Sequence, residues 1–92
     1  MSLVKRLQYY IDEAKKEAYK SVMTHKHGAV VIDTKGRIVG RGYNYVLPKQ
    51  YRGHWSMHAE RDAIRDCFKN GHCSIGATIV IIRVSIIFNY PF

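Results

Sequence analysis

His58-Ala59-Glu60-Arg61-Asp62-Ala63-Ile64-Arg65-Asp66-Cys67-Phe68-Lys69-Asn70-Gly71 is the stretch on which the fold turns. Ala59, Ala63, Ile64 and Cys67 recur at helical spacing and predict a helix over 58–69 with one apolar face. Asn70-Gly71 stops it, because Gly readily takes the left-handed conformation that closes a helix.

Upstream, residues 28–32 form an apolar run, Asp33-Thr34-Lys35-Gly36 a Gly-containing turn, and Ile38-Val39-Gly40-Arg41-Gly42-Tyr43 a second short run. Together they predict a β-hairpin. Residues 46–57, with Pro48 and Gly53, read as a loop. Over 3–23, Leu3, Val4, Leu7, Tyr10, Ile11, Ala14, Ala18 and Val22 fall at helical spacing, with Ser2 as N-cap. Lys5, Asp12, Lys15, Lys16 and Glu17 lie opposite, and Asp12, Glu13 and Glu17 interrupt the positive face. That favours packing on a sheet over lying on a membrane. Downstream, Ala77-Thr78-Ile79-Val80-Ile81-Ile82 is a β-branched run, predicted as a strand buried on both faces. Helix, strand, strand, helix, strand is the order of an α/β sandwich.

Ninety-two residues make one small domain, and 47% apolar with 24% charged residues is a globular composition. Fifteen Lys and Arg against seven Asp and Glu give a net charge of +8, which favours anionic partners. Two cysteines are too few for a disulfide scaffold and point to reduced thiols. The longest apolar run is far short of the roughly 20 residues of a membrane span. No apolar signal region precedes a small-residue cleavage site. The chain is therefore expected inside the cell, in cytoplasm or nucleus, with no membrane partner.

His58-Ala59-Glu60 carries the chemistry. A His at a helix N-terminus can offer a neutral imidazole nitrogen to Zn²⁺, and a Glu two residues on lies near the metal but not on it. The positive end of the helix favours an anionic, metal-bound hydroxide. Alone, the motif is common, and a surface His followed by a first-turn acid is the plainer reading. Its surroundings are more specific. The strand His27-Gly28-Ala29-Val30-Val31-Ile32, the turn Lys35-Gly36-Arg37 and the strand ending Gly42-Tyr43-Asn44 precede it; the strand 77–83 follows. In that order, residues 3–83 resemble the cytidine and deoxycytidylate deaminase superfamily, closer to its deoxycytidylate and tRNA-editing branch than to the free-cytidine enzymes.

The resemblance implies a three-layer α/β/α sandwich around a mixed sheet. It also implies hydrolytic deamination of a cytosine or adenine ring, in a nucleotide or nucleic acid, by water activated on zinc. It makes His58 a Zn²⁺ ligand and Glu60 the proton shuttle between metal-bound water, ring nitrogen and leaving ammonia. It sets the Ala59 backbone against the base and Asn44 on the sugar. A turn residue closing the second strand is the other reading of Asn44. His25 and His27 flank the first strand and are expected at the surface or behind the site.

The family's second metal motif, Pro-Cys-x-x-Cys, is absent from residues 1–92. Cys67 lies nine positions past His58, about 13 Å along a helix, too far to share one ion. It is expected to be a buried structural thiol. Cys73 follows the helix stop at the same remote end. One protein ligand does not hold Zn²⁺ tightly. The fit ends at Arg83, giving a partial, C-terminally truncated deaminase domain over 1–83 and a non-family tail over 84–92. Val84-Ser85-Ile86 can be encoded GTA-AGT-AT, a splice donor, so the tail reads as translated intron. Natural truncation, with Pro91-Phe92 standing where Pro-Cys began, is the rival. The expected form is truncated and inactive, with the edge of strand 77–82 open, one face bare, and a tendency to self-associate. The alternative is a catalytically dead module that binds RNA through Tyr43, Tyr45, Tyr51, Arg52 and Trp55, or that pairs with an intact deaminase or with itself. Packing over the site mouth is the favoured role for those aromatics.

Overall fold

In a computed structural model that describes residues 3–46 and 56–85, the chain runs α1 (Leu3–Ala18), β1 (His25–Ile32), β2 (Ile38–Tyr43), β3 (Tyr45–Val46), β4 (Ser56–Met57), α2 (Ala59–Lys69) and β5 (Thr78–Ser85). Three strands form one sheet in the order β2-β1-β5, and β3 and β4 form a separate two-stranded ribbon. The expected mixed sheet is antiparallel across all the described strands. Ser2 and residues 47–55 and 86–92 lie outside the described residues.

The hairpin closes through Asp33. Its Oδ1 accepts from the amides of Lys35 and Arg37 at 2.9 and 2.8 Å, and Gly36 turns the chain at φ 83°. Tyr10 of α1 donates its hydroxyl to the Gly36 carbonyl at 2.7 Å, fixing the turn to the helix. β1 then alternates, as a strand must. Val30 and Ile32 face α1 and pack with Tyr10 and Ala14. Ala29 and Val31 face α2 and pack with Val39, Ala59, Ala63 and Cys67. The sheet is thus sandwiched between two helices, the three-layer arrangement anticipated.

Both helices sit close on the sheet backbone. A Cβ at Gly28 would collide with Ala14 and Ala18 of α1, and one at Gly42 with Ala59 and Ala63 of α2. Small residues on both sides let helix and strand approach. α2 also closes the outer edge of β2. Tyr43 N donates to Asp62 Oδ2 at 3.2 Å, Arg41 N to Asp66 Oδ2 at 2.9 Å, and Asn70 Nδ2 to the Val39 carbonyl at 3.3 Å.

Two expectations are corrected. α1 stops at Ala18, not Met23, and Val22 is 90% exposed. The helix tightens as Lys20 N and Ser21 N reach back three residues, to the carbonyls of Glu17 and Ala18. Ser21 Oγ then accepts from Met23 N at 3.2 Å, a local bond that competes with helix continuation. β5 is not buried on both faces. Val80 and Ile82 are half-buried on the α1 side, but Ile79 and Ile81 are 36% and 51% exposed. These two lie opposite Val31 and Ala29 and so face the α2 layer. α2 packs chiefly on β2 and β1 and barely reaches β5. The strand also starts at Thr78 and runs on through Val84 and Ser85, which pair with Lys26 and His25.

Candidate functional site

The β3–β4 ribbon brings the site together. Tyr45 pairs with Met57, so Asn44, just before one strand, and His58, just after the other, come to the same end of the ribbon. Both line a cavity of about 470 Å³, with Met23, His25, His27 and Met57 on its described walls. His58 is the N-cap of α2, extended at φ −80° and ψ 145°, and its exposed imidazole makes no capping bond. No described residue bonds the ring. Ala59 is fully buried under the sheet, and Glu60 is half-buried in the first turn of α2. Neither belongs to the described wall of the cavity.

Asn44 is 5% exposed and bonded on all described sides to β1 and the segment before it. His27 N donates to its Oδ1 at 2.8 Å; its Nδ2 donates to the His25 carbonyl at 2.7 Å and lies 3.3 Å from Met23 Sδ. Asn44 therefore staples the end of β2 to the start of β1. It does more than close a turn. His25 and His27 are part of β1, not its flanks, and both reach the cavity; His25 Nδ1 is 3.1 Å from an Arg83 nitrogen.

On the other side of the ribbon, Tyr43 and Tyr45 meet edge to face with centroids 5.9 Å apart. The Tyr45 hydroxyl points to Asp62 Oδ1 at 3.5 Å. Burial pushes the Tyr45 phenol above its usual range, and the Asp62 carboxylate beside it adds to the shift. Tyr51, Arg52 and Trp55, the rest of the expected aromatic surface, lie outside the described residues. The Asp62, Asp66, Asn70 row went unread in the sequence. Its signal is three short polar side chains at i, i+4 and i+8, bordering the apolar stripe.

Zinc is the metal the resemblance implies, and the donor set does not fit it. Among the described residues, no three His, Cys, Asp or Glu side chains converge as a metal site would require. Cys67 is buried in the α2 core as expected, and Cys73 is exposed beyond the helix end. Also among the described residues, no helix is long and apolar enough to cross a membrane.

Residues 4–86 match the family described as the cytidine and deoxycytidylate deaminase zinc-binding region. Two crystal structures of a dCMP deaminase from the cyanophage S-TIM5 are similar. The apo form is 22% identical with a TM-score of 0.67, over 88% of this chain and 67% of that one. The form in complex with dCMP and dUMP is 20% identical with a TM-score of 0.67, over 88% of this chain and 66% of that one. At such identity the likeness is one of fold. No curated protein matches the chain.

Proposed function

The chain belongs to the cytidine and deoxycytidylate deaminase family, and we propose that residues 1–92 carry the substrate-holding half of a nucleotide deaminase centre that does not turn over unaided. The observation that supports this is the ribbon end that sets Asn44 and His58 in one cavity. At about 470 Å³ the cavity is in the range that takes a small organic ligand. The nucleotides in one of the similar structures, dCMP and dUMP, suggest the class, a pyrimidine nucleotide. The reaction is hydrolytic replacement of the ring amino group by a carbonyl oxygen.

In that reaction the attacking water gives up both its protons, one to the ring nitrogen as its oxygen adds and one to the departing ammonia as the C–N bond breaks and the carbonyl forms. Glu60, in the first turn of α2 and two residues past His58, is assigned to carry them. Water yields its proton at neutral pH only when its pKa is lowered, which in this family is the work implied for zinc. Residues 1–92 supply His58 but no Pro-Cys-x-x-Cys pair. Turnover by this stretch alone is therefore not expected.

Ammonia release from dCMP tests the reading. Residues 1–92 should release none above buffer. The same chain extended by a Pro-Cys-x-x-Cys helix should turn over, and Glu60→Gln in the extended chain should lower kcat about 10²–10⁴-fold. Turnover by unextended residues 1–92 would sink the inactive half of the proposal. A Glu60→Gln chain within about tenfold of its parent would remove Glu60 from the chemistry.

A further inference from the structure

α2 wears its charges in two rows. Asp62 and Asp66 turn toward the sheet and are engaged by the amides of Tyr43 and Arg41. Arg61, Arg65 and Lys69 stand on the outward face, all exposed, and none forms an ion pair among the described residues. Like charges at i and i+4 destabilise a helix, and Arg61 adds a cation to the first turn, where the helix dipole opposes it. Only Lys69, in the last turn, suits the helix dipole; Arg61 and Arg65 do not gain from it. Beside the row Phe68 is 57% exposed. Arg65 and Lys69, with Arg41, Asp62 and Asp66, also line a cavity of about 290 Å³ that includes the Tyr43–Tyr45 pair and shares no described residue with the His58 cavity; both carboxylates there are already engaged by strand amides.

We infer that this outer face of α2 binds single-stranded nucleic acid. Four helical residues rise about 6 Å, so the three cations are spaced on the scale of successive phosphates in an unstacked strand. Phe68 and the tyrosine pair are aromatic surfaces at the two sides of the row, and stacking on such surfaces needs bases freed from a duplex. An acidic protein would satisfy the cations but has no use for the aromatic flanks. The inference goes beyond the deaminase reading and does not rest on it. It concerns another cavity, and its test reads binding without turnover.

Fluorescence anisotropy of a labelled single-stranded RNA 12-mer, titrated with the full chain at several salt concentrations, decides the matter. Replacing Arg61, Arg65 and Lys69 together by Gln should weaken binding at low salt at least tenfold. It should also flatten the slope of log K against log salt by about 2. The substituted positions are exposed, and an unchanged or higher Tm would show that the fold survives. Replacing the exposed Lys15, Lys16 and Lys35 by Gln removes equal charge elsewhere and should move both readouts far less. Tyr45→Leu should weaken binding on the order of tenfold through lost stacking. Equal losses from the two triple variants would overturn the site in favour of diffuse charge. Displacement of the RNA by poly-glutamate at matched charge concentration would overturn it in favour of an acidic protein.

Discussion

The sheet has two outer edges, and the chain treats them oppositely. Along β2, α2 supplies what a further strand would: Asp62 and Asp66 accept from Tyr43 and Arg41, and Asn70 donates to Val39. Along β5, eight residues have β1 on one side and no described partner on the other, with Ile79 and Ile81 bare. The difference lies in pitch and reach. Two strand residues advance about 6.8 Å and four helix residues about 6 Å, so a helix laid antiparallel to a strand can offer one side chain to each outward-facing strand residue in turn. Glycines at 40 and 42 bring α2 near enough to do so. β5 has the same unpaired groups, and among the described residues no helix runs along its outer edge.

The largest test breaks the closed edge. Asp62→Ala with Asp66→Ala leaves two strand amides without acceptors and should cost about 3 kcal/mol or more. Urea denaturation would show it, and a loss under about 1 kcal/mol would mean that water serves as well as the carboxylates. The open edge should behave unlike it. Val80→Lys, on the α1 side, should cost about 1–3 kcal/mol, whereas Ile81→Lys should stay within about 0.5 kcal/mol. Sedimentation of the unchanged chain should reveal association that Ile81→Lys shifts to at least tenfold higher concentration. A monomeric parent with a sharp melt would show that β5 is not a sticky edge.

Two smaller effects separate covered from uncovered groups by titration. Burial between α2 and the sheet pushes the Cys67 thiol up. Its contribution to stability is therefore complete below the ordinary thiol range near 8.5 and declines as pH rises through the raised value. Ellman's reagent should modify Cys73 at once and Cys67 only as the fold opens; equal rates would place Cys67 at the surface. At the exposed hairpin, the Arg37 amide first of all holds the Asp33 carboxyl below its usual range. Its contribution is present above about pH 3.9 and lost as pH falls through the lowered value. Asp33→Asn should flatten that acid limb in thermal melts, and an unchanged limb would assign it to other carboxylates.

What the sequence made legible follows cover by covalent neighbours. The stripe of Ala59, Ala63, Ile64 and Cys67 packs as its spacing implied, because a helix face is a property of one segment. The hairpin followed from its turn. The resemblance put His58 and Asn44 in one site, and both line one cavity, which says nothing of their roles. The end of α1 was misjudged because Val22 continues the spacing while Ser21, by a local hydrogen bond, ends the helix. β5 was misjudged because a run such as Ile79-Val80-Ile81-Ile82 shows that a strand can be buried, not what is there to bury it. The ribbon that assembles the site has two residues per strand, too few to carry any period.

The valence of Asn44 gives the cavity a chemical polarity. Among the described residues, both hydrogens of its amide nitrogen are taken, one by the His25 carbonyl and one by Met23 sulfur, while its oxygen accepts a single bond, from His27, and keeps a second lone pair. A ligand that donates, such as a sugar hydroxyl, can be received without disturbing anything already made. A ligand that accepts must first dislodge β1 or Met23. O-methylation of such a hydroxyl should accordingly weaken nucleotide binding, and equal affinity for the methylated and free forms would show that Asn44 takes no part. A ligand that reached Asn44 would thus meet an acceptor on the very side chain that fastens the strand.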